Sequence, residues 1–150
     1  MIEIIPMTLD HIDEVLKIEE SSFNIQWTED DFLRELTQNK TAIYIVAVLD
    51  GEIVGYAGLW HVVNEGQITN VAVLPEYRRL GIGEKLMQEF FEIASELNMM
   101  GITLEVKISN YAAQKLYTKH GFKPEGFRKN YYKDTNEDAV IMWKYFDVNE

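Results

Sequence analysis

Residues 71–86 constrain the fold most, because a short β-type run passes there through a glycine-containing loop directly into an amphipathic helix. The loop holds Gly81 and Gly83, which let another group approach the backbone closely. The N–H groups at such a helix start are unpaired and carry the positive end of the helix dipole. Arg78 and Arg79 add charge of the same sign. The segment predicts a pyrophosphate-binding turn; the alternative is a helix start that uses glycine only for its turn geometry.

The rest of the chain predicts a mixed α/β fold. The runs before the glycine loop form an antiparallel meander, because Asp50-Gly51 is a hairpin signal and residues 64–66 turn the chain again. A strand follows the helix, and this order predicts a right-handed crossover with a locally parallel pair. The expected strands are 2–5, 42–49, 53–61, 67–73, 102–106, 122–130 and 139–146; the expected helices start at Thr8 and Thr28 or span 83–97 and 111–120. No linker interrupts them, so we expect one domain over residues 1–150.

Composition excludes several classes of function. The chain has 150 residues and no cysteine, which rules out disulfides, thiolate nucleophiles and Cys-ligated metals, and its three histidines are scattered, so we expect no metal. A formal net charge of −11 disfavours nucleic-acid binding. Neither a signal peptide nor a membrane-spanning stretch is recognisable. We expect a cytoplasmic protein with no nucleic-acid or membrane partner, as a monomer or weak dimer.

Charge is unevenly divided along the chain. Residues 1–70 carry three basic and thirteen acidic side chains, whereas residues 71–150 carry eleven and twelve. If the two halves line one cleft, the first would attract a cationic ligand and the second would tolerate an anionic one. The alternative is that acidic helix faces only keep the protein in solution.

Two other phosphate-binding motifs are alternatives for this loop. A dinucleotide fingerprint also places Gly-x-Gly between strand and helix, and Glu105 lies near the usual acidic offset from Gly83. However, Leu86 occupies the position of the third glycine, and the preceding strand belongs to an antiparallel meander. A P-loop is excluded because no Gly-Lys-Ser/Thr follows.

The motif Arg78-x-x-Gly81-x-Gly83 resembles the acetyl-coenzyme A motif of the GCN5-related N-acetyltransferases, and the order of elements is similar to that fold over nearly the whole chain. Further segments resemble the RimI type, the ribosomal-protein alanine N-acetyltransferases. They are Gln67-Ile-Thr-Asn-Val-Ala-Val73, Leu104-Glu-Val-Lys-Ile-Ser-Asn110, Ala113-Gln-Lys-Leu-Tyr117, Gly121-Phe122 and Arg128-Lys-Asn-Tyr-Tyr132. The resemblance implies acetyl-coenzyme A as cosubstrate, and the basic amino-terminal peptide of a ribosomal protein as acceptor.

Acetyl transfer to an amine needs a base, because an α-amino group with a pKa of about 8 is mostly protonated at neutral pH. Glu105 lies on an apolar strand, where a partly desolvated carboxylate would be a better base than a surface one; the alternative is a solvated, outward-facing side chain. The resemblance implies that Glu105 is the general base, through a water, and that Tyr117 is the general acid for the thiolate. From its residue pattern alone, Tyr117 would be a core aromatic.

The resemblance also implies the binding residues. Asn110 is a helix cap, a coenzyme A contact or both. Splaying of the parallel pair would leave backbone groups of residues 71–73 for the acetyl-pantetheine arm. The implied cofactor residues are Val71, Ala72, Val73, Arg78, Arg79, Leu80, Gly81, Ile82, Gly83, Glu84 and Asn110, and the implied acceptor residues are Phe23, Trp27, Tyr131 and Tyr132. Gln26 stands where the RimI pattern often has proline, which leaves acceptor preference open.

Two alternative functions remain at this stage. A small cationic amine such as a polyamine or aminoglycoside would suit the acidic half equally well, and only residues 129–132 favour a peptide α-amine. A noncatalytic acyl-coenzyme A sensor would keep the phosphate-binding turn without a base or an acid. The presence of Glu105 and Tyr117 at the family spacing argues against a sensor.

Overall fold

The computed structural model describes residues 1–23 and 26–146. The strands are β1 (Ile2–Pro6), β2 (Ala42–Leu49), β3 (Glu52–Val62), β4 (Glu65–Val73), β5 (Gly101–Lys107), β6 (Lys123–Tyr132) and β7 (Glu137–Tyr145). The helices are α1 (Ile12–Ser22), α2 (Glu29–Thr37), α3 (Ile82–Glu96) and α4 (Tyr111–Lys119), with 3-10 turns at Leu9–His11 and Pro75–Tyr77. Within the described residues, no helix has both the length and the apolar character needed to cross a membrane.

All seven strands form one sheet in the order β1-β2-β3-β4-β5-β7-β6. Every neighbouring pair is antiparallel except β4 and β5, which pair in parallel only through Glu65–Gln67 against Gly101–Thr103. Both strands continue well past this short ladder. Their carboxyl ends are therefore unpaired with each other, and the sheet is open there. This confirms the expected mixed α/β fold with a splayed parallel pair, and β4, antiparallel to β3, excludes the dinucleotide alternative.

Helices cover both faces of the sheet. On one face, α1 and α2 pack through Val15, Ile18 and Phe32 onto β2, β3 and β4. On the other, α3 packs through Leu86 and Phe90 onto a second apolar cluster that includes alternate residues of β5 and β7. Since successive strand residues point to opposite faces, Glu105 lies on the face away from α3.

Local signals set the helix starts. Thr28 Oγ1 accepts the Asp31 N–H at 3.2 Å, and the Asp31 carboxylate accepts the Thr28 N–H at 2.8 Å, which is the expected capping box. The expected start at Thr8 is wrong by one turn. A 3-10 turn comes first, with His11 Nδ1 accepting the Thr8 N–H at 3.0 Å, and α1 begins at Ile12.

Several predicted ends move by one to three residues. Pro6 belongs to β1, because an edge strand tolerates a missing N–H. Pairing with neighbours lengthens β3, β4, β5 and β6 beyond their apolar runs, and β7 starts and ends earlier than expected. The predicted start of α3 shifts from Gly83 to Ile82, since Gly81 is the N-cap.

A β-bulge lies in β4 beside the open gap. The register with β3 shifts between Gly58 and Leu59, which pair with Asn70 and Ile68, so Thr69 is the extra residue. As a result Thr69 and Asn70 both face α1 and α2. Thr69 Oγ1 lies 3.5 Å from the Tyr44 hydroxyl, and Asn70 interacts with the hydroxyl of Tyr56.

Candidate active site

The glycine loop is built as an open turn at the start of α3. Gly81 has φ of 81°, a left-handed conformation that strains other residues, and it serves as the N-cap without a side-chain hydrogen bond. A Cβ added to Gly81 or Gly83 would meet no atom within 4 Å. The backbone of this turn is therefore open to close approach by another group. This arrangement fits a pyrophosphate, since backbone donors and a helix dipole are available at close approach.

Some side chains around this turn make structural contacts, and others are exposed to solvent. Arg78 turns back, donating from Nε to the Val73 carbonyl at 3.0 Å and approaching Ser22 Oγ at 3.5 Å, so it joins the end of β4 to α1. Arg79 and Leu80 are exposed. Ile82 is buried in the core, so only its backbone is available to a ligand.

Glu84 joins α3 to α4 instead of pointing freely into the turn. Its carboxylate lies 2.7 Å from His120 Nε2 and 3.4 Å from Lys119 Nζ. The hydrogen bond with His120 is the main reason that the pKa of Glu84 is lowered, and Lys119 adds to the effect. His120 is not among the predicted site residues. Its contact with Glu84 spans 36 residues, so no local pattern could reveal it.

The end of β4 and the start of α4 border the open gap. Ala72 is buried, whereas Val71 and Val73 are half-buried against the α3 side, so a ligand would meet mainly their backbone. Asn110 caps α4, its Oδ1 accepting the Ala113 N–H at 3.1 Å, and this cap does not use the amide NH₂. Gln114, which the sequence did not single out, donates to the carbonyls of Lys107 and Ile108 at 3.0 Å each and fixes the connecting loop.

Glu105 lies in the middle of β5 with only 12% of its side chain exposed. Its Oε2 accepts a hydrogen bond from Arg128 Nε at 2.8 Å, and the Arg128 side chain is 53% exposed. The solvated, outward-facing alternative is therefore wrong. Arg128 belongs to one of the motifs given above, but no local pattern connects it with Glu105, which is 23 residues away.

Tyr117 is half-buried on α4 with its ring at 5.7 Å and 61° to that of Phe122. Burial raises its pKa, so the phenol stays protonated through neutral pH. Among the described residues, no group hydrogen-bonds to its hydroxyl. A protonated hydroxyl without a protein partner has the properties of a proton donor to a ligand.

Tyr131 and Tyr132 bring the closing hairpin to the same region. Their rings are perpendicular at 5.1 Å, and Tyr131 is 45% exposed. Burial is the main cause of the raised pKa of Tyr132, and the neighbouring Glu105 and Tyr117 raise this pKa further. The pKa of Tyr131 is raised by burial and then by Glu105. Glu105 and Tyr117 are therefore electrostatic neighbours of Tyr132, and Glu105 is also a neighbour of Tyr131.

The expected acceptor aromatics before α2 have mixed roles. Phe23 is 36% exposed at the end of α1. Trp27 is half-buried, with its ring 5.2 Å from Phe32 and 6.2 Å from Tyr44, so part of it belongs to the core. The residues between them include 24 and 25, which lie outside the described part of the chain. Gln26 is exposed, and its effect on the acceptor remains an expectation.

Glu19 is a buried carboxylate that the sequence did not single out. It is 1% exposed, and it accepts hydrogen bonds from the Tyr56 hydroxyl and from the Trp27 N–H, the latter at 2.8 Å. Burial raises its pKa against the opposing effect of these hydrogen bonds. Its position four residues after Val15, on the apolar face of α1, was the available signal. Glu19 ties the segment before α2 to the sheet.

A cavity of about 260 Å³ opens beside the same segment. It is lined by Trp27, Asp31, Arg34, Glu35 and Trp60. Its carboxylates are already engaged. Glu35 Oε1 accepts from Trp60 Nε1 at 2.7 Å and from the Tyr44 hydroxyl at 2.8 Å, and Asp31 pairs with Arg34.

Residues 12–122 match a sequence profile of the Acetyltransferase (GNAT) family. The chain belongs to this family. It is 48% identical over 137 residues to a Bacillus subtilis (strain 168) protein, covering 91% of each, which carries a provisional assignment as a ribosomal protein bS18-alanine N-acetyltransferase. It is 32% identical over 127 residues to the ribosomal protein bS18-alanine N-acetyltransferase of Escherichia coli (strain K12), covering 83% of this chain and 84% of that one.

The fold comparison agrees with the sequence comparison. The crystal structure of the ribosomal-protein-S18-alanine N-acetyltransferase from Escherichia coli superposes with a TM-score of 0.92 and 28% identity, covering 100% of this chain and 97% of that one. The GNAT family uses acetyl-coenzyme A, and other proteins with this fold were crystallised with coenzyme A or acetyl-coenzyme A. This chain is therefore an N-acetyltransferase of the GNAT family, and the relatives named above are ribosomal-protein alanine N-acetyltransferases by name.

Proposed function

We propose that this enzyme transfers the acetyl group of acetyl-coenzyme A to the α-amine of a peptide, the N-terminal alanine of a small-subunit ribosomal protein, in the cytoplasm. The observation that carries the proposal is the open gap between the carboxyl ends of β4 and β5, where Glu105, beyond the last residue of β5 that pairs with β4, holds a nearly covered carboxylate. The names of the Bacillus subtilis and Escherichia coli relatives support this acceptor.

The cosubstrate is assigned to the gap and the turn. The N–H groups of residues 81–84 would hold the pyrophosphate, with Arg79 adding positive charge. Backbone groups at 71–73 would hold the pantetheine arm, and the free amide NH₂ of Asn110 is a further donor. Bound there, acetyl-coenzyme A supplies an acetyl group activated as a thioester.

Proton transfers are assigned to two of this chain's own residues. Glu105 accepts a proton, through a water, from the acceptor ammonium, which leaves a neutral amine to form the new C–N bond. The Tyr117 hydroxyl donates its proton to the sulfur as the C–S bond breaks, and the second proton that the nitrogen loses as the amide forms returns through water to the phenolate. At pH 7 roughly a tenth of an α-amine with a pKa of about 8 is neutral, whereas a lysine with a pKa of about 10.4 is neutral far less often. The mechanism therefore favours an amino terminus over a lysine side chain.

Charge and aromatic surface favour a basic peptide as acceptor. Glu20, Glu29 and Asp30 are exposed around the segment that joins α1 to α2. Tyr131 is exposed on the closing hairpin. The acidic side chains would attract a basic amino-terminal tail, and the exposed aromatic ring offers it an apolar contact.

The test of the acceptor is direct. The enzyme and acetyl-coenzyme A are incubated with the ribosomal proteins of its own host, and mass spectrometry locates the added acetyl group. An acetylated N-terminal alanine on a small-subunit protein is the expected product. Acetylation only of internal lysines, or activity only towards polyamines or aminoglycosides, would contradict the proposed acceptor but not the family.

The test of the base uses two matched glutamates. Glu105→Gln should lower turnover by about 10²-fold or more at pH 7, with recovery at higher pH as the amine loses its proton without help. Glu125→Gln removes the same charge from an exposed position on β6 and should leave turnover unchanged. Equal activity of the parent and Glu105→Gln at pH 7 would remove Glu105 from the mechanism.

A further inference from the structure

The contact between Glu105 and Arg128 joins residues two strands apart. On β7, which lies between them, Ile141 pairs with Glu105 and Ala139 pairs with Arg128. These four positions share one face of the sheet, because residues directly opposite each other point the same way. The small side chain of Ala139 leaves room for the arginine to cross β7 and reach the carboxylate at 2.8 Å.

Exposure within this pair is unequal. The Glu105 side chain is 12% exposed and that of Arg128 is 53% exposed, so the guanidinium reaches a nearly covered carboxylate from the solvent side. Because the guanidinium is half exposed, water partly screens its attraction to the carboxylate, and a competing cation can approach from the same side. The contact is therefore easily broken.

A second cation on the same row is already engaged elsewhere. Lys107 pairs with Ala139 from the other side, and its Nζ lies 3.2 Å from the Asp134 carboxylate and 5.4 Å from the centre of the Tyr132 ring. Arg128 is thus the cation that neutralises Glu105 in the free enzyme. A positively charged acceptor that approaches Glu105 must compete with it.

We propose that Arg128 is the resting counter-ion of Glu105 and that the terminal ammonium of the acceptor replaces it. This inference rests on the function proposed above, in which Glu105 is the base. The ammonium faces the same carboxylate through the water by which Glu105 acts as base, so one cation is exchanged for another, and Arg128 stays protonated throughout. The proton that Glu105 then receives comes from the acceptor ammonium. Arg128 is a positioning residue, because it acts only through Glu105.

The exchange predicts tighter acceptor binding when Arg128 is neutralised. A binding site that is free for only a fraction of the time shows a dissociation constant weakened by that fraction. If the ion pair occupies Glu105 for most of the time, Arg128→Gln should lower the dissociation constant of the acceptor by about 3- to 10-fold. Arg128→Lys keeps the charge and should stay within about twofold of the parent.

Calorimetry on the coenzyme A-loaded enzyme measures this binding without turnover. The probe is a short synthetic peptide that begins with alanine and contains lysines; its N-acetylated form has the same side chains but no terminal ammonium. Arg128→Gln should lower the dissociation constant of the free-amine peptide only. Lys129→Gln is the matched control, since it removes the same charge from the next residue of β6, which makes no ion pair among the described residues. Kinetics should show a lower KM for the peptide with kcat within about twofold.

Three binding results would overturn the exchange. In the first, Arg128→Gln lowers the dissociation constant of the N-acetylated peptide as much as that of the free-amine peptide. In the second, Lys129→Gln lowers the dissociation constant of the free-amine peptide as much as Arg128→Gln does. In the third, a folded Arg128→Gln variant binds the free-amine peptide with an unchanged or higher dissociation constant. A loss of kcat at unchanged KM, restored by Arg128→Lys, would also overturn it. Failure of the proposed function is distinguishable, because Glu105→Gln would then remain fully active. If Glu105→Gln is inactive and Arg128→Gln binds like the parent, the exchange alone has failed.

Discussion

Gly83→Ala should make the free protein more stable and its cosubstrate affinity weaker. Gly83 lies in the first turn of α3 with ordinary helical backbone, and a Cβ there would meet no atom within 4 Å. Alanine therefore fits without a clash and restricts the unfolded chain, which stabilises by about 0.5–1 kcal/mol. For a domain of this size that is a rise of roughly 1–4 °C in the melting temperature.

The same methyl group projects into the space assigned to the pyrophosphate. If phosphate oxygens approach the backbone of this turn, the added methyl should weaken acetyl-coenzyme A binding by about tenfold or more, which is about 1.4 kcal/mol. A ligand that binds only the folded state stabilises in proportion to the logarithm of its concentration over its dissociation constant. At a fixed, saturating concentration the melting shift caused by acetyl-coenzyme A should therefore shrink by roughly 3–6 °C.

Gly81→Ala is the matched comparison, two residues away. Its Cβ would also meet no atom, but φ of 81° imposes a left-handed backbone that costs alanine about 1–2 kcal/mol. The two variants should therefore change the stability of the free protein in opposite directions. Thermal melts with and without acetyl-coenzyme A measure both effects.

Either of two results would contradict this description of the turn. If Gly83→Ala keeps the full melting shift with acetyl-coenzyme A, the phosphates do not approach this turn. If the free Gly83→Ala protein melts well below the parent, the space around Gly83 is not open as described.

Three further predictions concern single residues. Tyr117→Phe should lower kcat by about 10²-fold, and since the pKa of Tyr117 is raised, the parent should show no loss of activity from its ionisation below about pH 10. Because the pKa of Glu19 is raised in the folded state, the contribution of Glu19 to stability falls as pH rises from about 4 through that folded-state pKa. In urea unfolding, the parent should therefore lose stability relative to Glu19→Gln between pH 4 and pH 7. A stability difference that stays constant over this range would contradict the prediction. Gly58→Ala would place a Cβ 2.2 Å from Tyr44 Cε1, so it should lower stability by about 1–3 kcal/mol, and a melting temperature equal to the parent's would show that the β3–β4 bulge can relax.

Short-range patterns determined much of the fold. The capping box of Thr28 and Asp31, the turn at Asp50-Gly51 and the glycine N-cap of α3 are all interactions within a few residues. Their geometry depends on backbone preferences and nearby hydrogen bonds, which a sequence displays directly. The order of these elements then allowed few topologies. The amino acid sequence therefore contained enough information to predict the parallel pair and the glycine turn at the start of α3.

The surroundings of the proposed catalytic groups required the tertiary structure. Arg128 meets Glu105 across 23 residues, Glu84 meets His120 across 36, and Glu19 meets Tyr56 across 37. Each is a contact between long polar side chains. The partner that such a side chain reaches depends on strand register and on whether the residues between the two are small. Local sequence sets neither quantity, since register is fixed by packing of the whole sheet. The sequence thus determined the positions of the proposed base, Glu105, and the proposed acid, Tyr117. Only the folded sheet decided that Arg128 is the charge paired with Glu105.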